Sequence, residues 1–173
     1  PDDFDRHTFD ETLRLGCIAR LSPEKGVDLL AEAVRDCENT TLLINGKGDQ
    51  HIPSTPTITI KADVQNINDI YKHIDVLVLP SRTEDPFGLV VAEAMLRGIA
   101  VICTDACGIA EYLESGVDSL VVKAGSVEAL KDGIEKMKVA GFRLQVGKKG
   151  RETAMREFAL ETMMDRYEDL LNM

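Results

Sequence analysis

The chain has 173 residues, with 20 Lys+Arg against 30 Asp+Glu and a formal net charge of −10. That acidic surplus excludes a nucleic-acid footprint, which needs Lys and Arg to neutralise phosphates, so any anionic ligand must be held by a local arrangement acting against the global field. An apolar content of 44% excludes a disordered chain, charges interrupt every apolar run well short of the ~18 residues of a membrane span, and the length suits one domain with one ordinary core.

The first twelve residues, PDDFDRHTFDET, are acidic and aperiodic and are expected to form a linker. β-rich runs follow at 13–19, 40–45, 57–61, 75–79, 100–104 and 119–122. After the first run, Val27, Leu30, Val34 and Cys37 share one helical face; before the fourth, Ile67, Ile70, Tyr71 and Ile74 do the same. Pro86 is expected to open an apolar helix, because its missing N–H would be unpaired there anyway, and Gly98 to end it. A short helix is expected after Gly108. Ser126 is the expected N-cap of a helix with Val127, Leu130, Ile134 and Met137 on one face. Two helices, at 142–157 and 160–172, are expected to close the chain.

Runs such as VLVL and AVIC are apolar at every position, the pattern of strands covered by helices on both sides. Strands alternating with helices predict a Rossmann-like α/β fold, a doubly wound, parallel, six-stranded sheet with helices on both faces. With the common strand order 3-2-1-4-5-6, the first and fourth strands meet at the switch point where ligands bind. The loops 20–26 and 80–88 should then face each other across a crevice. The four cysteines, Cys17, Cys37, Cys103 and Cys107, form no CxxC pair. They are expected to be buried reduced thiols, which fits a cytoplasmic location.

The first loop sets Arg20 and Lys25 at the start of a helix, where backbone N–H groups and the helix dipole favour phosphate. From residue types alone, two solvated surface cations are the more ordinary reading. No GxGxxG or GxxxxGK[ST] is present, which disfavours a dinucleotide oxidoreductase and a P-loop NTPase. The second loop runs Pro80-Ser81-Arg82-Thr83-Glu84-Asp85-Pro86-Phe87-Gly88. Beyond it, Glu93 is a lone carboxylate in an apolar helix and must meet a cation, backbone donors or ligand hydroxyls such as those of a ribose. Gly46-Lys47-Gly48, ending the second strand, suits either turn chemistry or a ligand's close approach.

Taken together, these pieces resemble the C-terminal half of a group 1 (family 4) retaining glycosyltransferase of the GT-B fold. The resemblance rests on Gly16-Cys-Ile-Ala-Arg20-Leu21 with Lys25-Gly26, on Gly46-Lys47-Gly48, and on Asp75-Val-Leu-Val-Leu-Pro80-Ser81. It continues through Asp85-Pro86-Phe87-Gly88-Leu89-Val90, Glu93-Ala94-Met95, Gly98 to Ile102, and Gly108-Ile109-Ala110-Glu111. It covers nearly the whole chain.

The resemblance implies a donor site for a nucleoside-diphosphate sugar, UDP- or GDP-linked, with no metal or other cofactor. Arg20 and Lys25 match the cations that grip the departing diphosphate. Glu93 matches the second acid of the family's E-x7-E motif, which holds the ribose. Gly88 and Leu89 match backbone positions near the diphosphate and sugar. Ser81, Glu84, Phe87, Gly46 and Gly48 join them as expected donor contacts. The first acid of that motif is Asp85 here, one carbon shorter, with Glu84 beside it; both are expected to position the sugar.

The resemblance further implies that residues 1–12 are an interdomain linker remnant and residues 13–173 the nucleotide-sugar-binding domain. The acceptor-binding N-terminal domain would be absent from the chain, and any peripheral membrane contact would fall to it. The implied reaction is hexosyl transfer to a saccharide or lipid-linked acceptor in polysaccharide biosynthesis, with the isolated domain inactive. A non-catalytic nucleotide-sugar-binding or scaffold module, and an epimerase of the same shape, remain as alternatives.

Overall fold

The structure, a computed structural model, describes residues 11–158 except 63 and 65. Residues 1–10 of the linker expected at 1–12, and the expected helix at 160–172, lie outside the described residues. Six strands form one parallel sheet: β1 (Leu13–Ile18), β2 (Thr40–Asn45), β3 (Ile58–Lys61), β4 (Val76–Leu79), β5 (Ala100–Thr104) and β6 (Leu120–Val122). Their order is β3-β2-β1-β4-β5-β6, the common doubly wound order considered above.

Period-two alternation splits the interior into two cores, one on each face of the sheet. Val76 and Val78 of β4 and Ile102 of β5 join one core, together with Leu30 and Val34 of α1 (Val27–Arg35) and Ile134 and Met137 of α4 (Val127–Lys138). Leu77, Leu79, Val101 and Cys103 point the other way. They pack with Ile70 and Tyr71 of α2 (Asn68–Tyr71) and Val91 and Met95 of α3 (Leu89–Leu96). The last described helix, α5 (Ala140–Glu157), gives Val146 to the first core and Ala154 to the second. Among the described residues, no helix is long and apolar enough to cross a membrane.

The β1–β4 junction is fastened at its N-terminal end. Arg14 grips Asp75 through two side-chain donors, at 3.0 and 2.7 Å, and donates its backbone N–H at 2.9 Å to the same carboxylate. A bidentate pair of this kind fixes geometry as well as adding energy. As expected, Ser126 caps α4 by accepting the Ala129 N–H at 3.1 Å, and a 3-10 turn spans Gly108–Tyr112.

Two expectations need correction. Pro86 does not open α3. Residues 85–87 instead run beside 106–109: the Asp85 N–H donates to the Ala106 carbonyl, the Gly108 N–H to that of Asp85, and the Ile109 N–H to that of Phe87. The helix begins only after Gly88, whose φ of 92° breaks the path from that extended segment into helix. The helix expected over 67–74 is a single turn, because the chain must reverse to enter β4, where the Asp75 N–H already donates to the Arg14 carbonyl at 2.7 Å.

Candidate functional site

The loops after β1 and β4 meet across the C-terminal ends of their strands, at the switch point. Gly26 carries the closest approach: its φ is 63°, and a Cβ there would lie 2.2 Å from the Pro80 carbonyl oxygen. Only glycine meets both conditions. Arg82 then stitches the second loop to the first. Its backbone N–H donates to the Glu24 carbonyl, its guanidinium to the Pro23 carbonyl at 3.2 Å and to Asp28 at 2.6 Å.

Along this seam lies an open hollow of about 360 Å³, lined by Arg20, Lys25, Asp85, Phe87, Gly88 and Leu89 among others. Six of the predicted site residues therefore converge. Lys25 sits in a 3-10 turn, Pro23–Lys25, and donates to Asp85 Oδ2 at 2.6 Å. Arg20, on the rim, reaches Glu24 at 2.8 Å. The Glu24 carboxyl is held below its ordinary range, first by its own backbone N–H and further by the Arg20 charge. Leu89, 68% exposed, stands at the first turn of α3. Phe87 packs edge-on against Tyr112 and Phe158, with ring centroids 6.3 and 5.5 Å away.

Glu93 lies on α3 one turn beyond Leu89, about 6 Å further along the same face. Its partner is Tyr71, whose phenol donates to Glu93 Oε2 at 2.8 Å. The Arg97 guanidinium lies 4.5 Å over the Tyr71 ring and donates to the Glu93 carbonyl at 2.7 Å. Burial first, and then the Glu93 hydrogen bond and charge, push the Tyr71 phenol well above its ordinary range, so it stays a donor. Sequence reasoning placed Tyr71 only on an apolar face. The available signal was chemical: a buried tyrosine needs a partner for its hydroxyl, and Glu93 was the nearby carboxylate in need of a donor.

Other assignments shift. Ser81 is fully buried, so it holds Asp85 rather than a ligand: its hydroxyl donates to Asp85 Oδ2 at 3.1 Å, and its carbonyl accepts from Thr104 Oγ1 at 2.7 Å. Glu84 is exposed and does not line the hollow. Gly46 and Gly48 pack on the first loop instead of lining this hollow. A Cβ on either would fall 1.8 or 2.0 Å from the carbonyl oxygens of Ala19 and Leu21, and the Gly46 N–H is spent on the Lys61 carbonyl. Gly48 does border a neighbouring depression beside Arg20. Nothing local in the sequence marks Arg82 for this role, because its partners lie over 50 positions away in the chain.

These features define an α/β doubly wound domain whose site lies at the switch point, rimmed by two cations and floored by the first turn of a buried helix. A profile of the family described as "Glycosyl transferases group 1" matches residues 12–138. The chain belongs to that family. Among curated relatives, it is 26% identical to the GDP-mannose-dependent alpha-(1-6)-phosphatidylinositol monomannoside mannosyltransferase of Mycobacterium tuberculosis, over 99% of this chain and 52% of that protein. It is 22% identical to the lipopolysaccharide 1,2-N-acetylglucosaminetransferase of Salmonella typhimurium, over 87% of this chain and 45% of that protein. The chain thus spans about half the length of these relatives.

Among solved structures, Anabaena Alr3699/HepE in complex with UDP-glucose superposes with a TM-score of 0.83 at 21% identity, covering 93% of this chain and 49% of that one. The C-terminal domain of the Francisella tularensis group 1 protein LpcC superposes at 0.73 and 19% identity, covering 86% of this chain and 87% of that domain. The fold is that of one half of a GT-B glycosyltransferase.

Proposed function

We propose that this chain is the donor-binding half of a retaining glycosyltransferase, which transfers a hexosyl unit from a UDP- or GDP-sugar to a saccharide or lipid-linked acceptor in polysaccharide biosynthesis. The observation that carries the reading is the convergence of Arg20 and Lys25 on the hollow that ends at the first turn of α3, with Glu93 one turn further on. The diphosphate lies against the two cations, and the ribose hydroxyls reach the Glu93 carboxylate beside Tyr71.

As the glycosyl–phosphate bond breaks, negative charge grows on the diphosphate. Donors that meet that charge lower the barrier, each by roughly 3 kcal/mol. Lys25 turns from Asp85 to the phosphate, and Arg20 from Glu24. Asp85, released, faces the sugar and positions its hydroxyls. No side chain of this half acts as nucleophile. The acceptor is held by a second domain, without which this chain binds donor but does not turn over. Relatives are named for GDP-mannose and N-acetylglucosamine transfer, and a structural neighbour holds UDP-glucose, so both UDP and GDP are candidate donors. The four buried free thiols suit a reducing, cytoplasmic setting.

The test is calorimetric titration of UDP, GDP and ADP into the chain. Lys25→Ala and Arg20→Ala should each weaken nucleoside-diphosphate binding about tenfold or more and leave nucleoside binding unchanged. Equal losses for diphosphate and nucleoside would overturn the assignment. Failure of the folded chain to bind any nucleotide at millimolar concentration would favour a scaffold module.

A further inference from the structure

At the opposite end of the sheet, where β4 and β5 begin, a second hollow of about 490 Å³ opens between the Arg97–Ala100 turn and α5. The close packing there depends on Gly147, where a Cβ would come 2.5 Å from the Gly98 carbonyl oxygen. Four cations surround this hollow, Arg97, Arg143, Lys148 and Arg151, in a chain whose net charge is −10. Its two acids are already answered, Asp75 by Arg14 at 2.7 Å and Glu152 by Lys149 at 2.7 Å. Arg97 and Arg143 are anchored by the Glu93 and Met137 carbonyls. Lys148 and Arg151 make no side-chain hydrogen bond or close ion pair to another described residue; the Glu152 carboxyl is held below its ordinary range first by its Lys149 hydrogen bond and also by the Lys148 charge.

On α5 these two cations fall in a stripe with Leu144 and Met155, at spacings of four, three and four. Leu144 is 43% exposed and Met155 55%, so apolar surface flanks the charges on both sides. The volume lies within the ~300–1,000 Å³ of small-molecule sites. Guanidinium forks and an ammonium match phosphate oxygens, and the apolar flanks match a hydrocarbon body.

We propose that this hollow is a second anion site, separate from the switch-point hollow, and that it takes a phosphate monoester carrying an apolar body. Lys148 and Arg151 bind the phosphate oxygens, Arg97 and Arg143 supply fixed positive charge on the walls, and Leu144 and Met155 cover the hydrocarbon. The ester can come from solution or from the headgroup of a phosphatidic-acid-type lipid.

The experiment titrates octyl phosphate into the isotopically labelled chain and follows its backbone amide resonances. Shifts are expected at residues 97–100 and 143–155 and not at residues 20–26. Lys148→Gln with Arg151→Gln should weaken binding by about tenfold or more for each cation removed. Both side chains are exposed, so an unchanged amide spectrum elsewhere shows that the variant is folded. Lys25→Ala should leave octyl phosphate binding intact. In a second arm, vesicles of phosphatidylcholine with and without phosphatidic acid are sedimented with the chain. Binding to octyl phosphate alone identifies a soluble ester, and added binding to phosphatidic-acid vesicles that the double variant loses identifies a lipid. Octyl phosphate shifts confined to residues 20–26, binding indifferent to the double substitution, or no binding in either arm would overturn the proposal.

Discussion

Lys25 Nζ and Asp85 Oδ2 stand 2.6 Å apart across the switch point, joining residues 60 positions distant in the chain. The pair is mostly shielded from water, with side-chain exposures of 22% and 10%. A proposed phosphate ligand for Lys25 is therefore in competition with a carboxylate already in place.

That competition predicts the effect of Asp85→Asn. The amide keeps a polar group beside Ser81 but releases the ammonium. Pyrophosphate affinity should rise about fivefold, the equivalent of ~1 kcal/mol for a partly exposed pair. Calorimetry with pyrophosphate checks this, and a weaker affinity would mean that Asp85 orients Lys25 rather than competing for it.

Tyr71→Phe should destabilise the chain by about 1–2 kcal/mol, because the Glu93 carboxylate loses a donor beneath the surface. Urea denaturation measures the loss. The same variant should weaken uridine binding while leaving pyrophosphate binding unchanged, since only the ribose end of the proposed site touches Glu93. Equal effects on both ligands would separate Glu93 from the ribose.

Gly26→Ala tests the contact between the two loops. A methyl group would meet the Pro80 carbonyl, at a backbone angle that alanine disfavours. The expected cost is about 3 kcal/mol or more, read as a fall in the thermal midpoint. Gly116 has φ 88° but nothing within 4 Å of an added Cβ, so Gly116→Ala should cost only about 1 kcal/mol. Comparable losses at both positions would show that the loops do not press together.

Alkaline pH should destabilise the fold. Burial pushes the Cys17 thiol up to about 12 from an ordinary 9.0, and Cys103 moves in the same direction for the same reason. The folded chain keeps these protons while the unfolded chain releases them. The stabilisation is therefore complete below pH 9 and is lost progressively as pH rises toward 12. Urea midpoints should be level from pH 7 to 8.5 and decline above pH 9, less steeply in Cys17→Ala. A level profile up to pH 10.5 would contradict the burial of these thiols.

Much of this was legible in local pattern. Strands that are apolar at every position must be covered on both faces, and VLVL carries that information without any neighbour. The sharp turn at Gly98 and the Ser126 cap are likewise properties of a few consecutive residues. The start of α3 was not, because the pull of residues 106–109 on residues 85–87 is a long-range pairing that Pro86 does not announce. Ser81 illustrates the same limit: its hydroxyl looks like a ligand donor until burial and the bond to Asp85 take it up.

The amino-acid order by itself determined the layering of the sheet and the ends of the strands at which chemistry is possible, since hydrophobic period and turn residues act over a few positions. Only the tertiary structure decided which charges answer one another. Pairings such as Lys25 with Asp85 and Tyr71 with Glu93 span 60 and 22 residues. They depend on how the crossovers bring strand ends and helix faces within hydrogen-bonding distance, and no local rule of spacing encodes that.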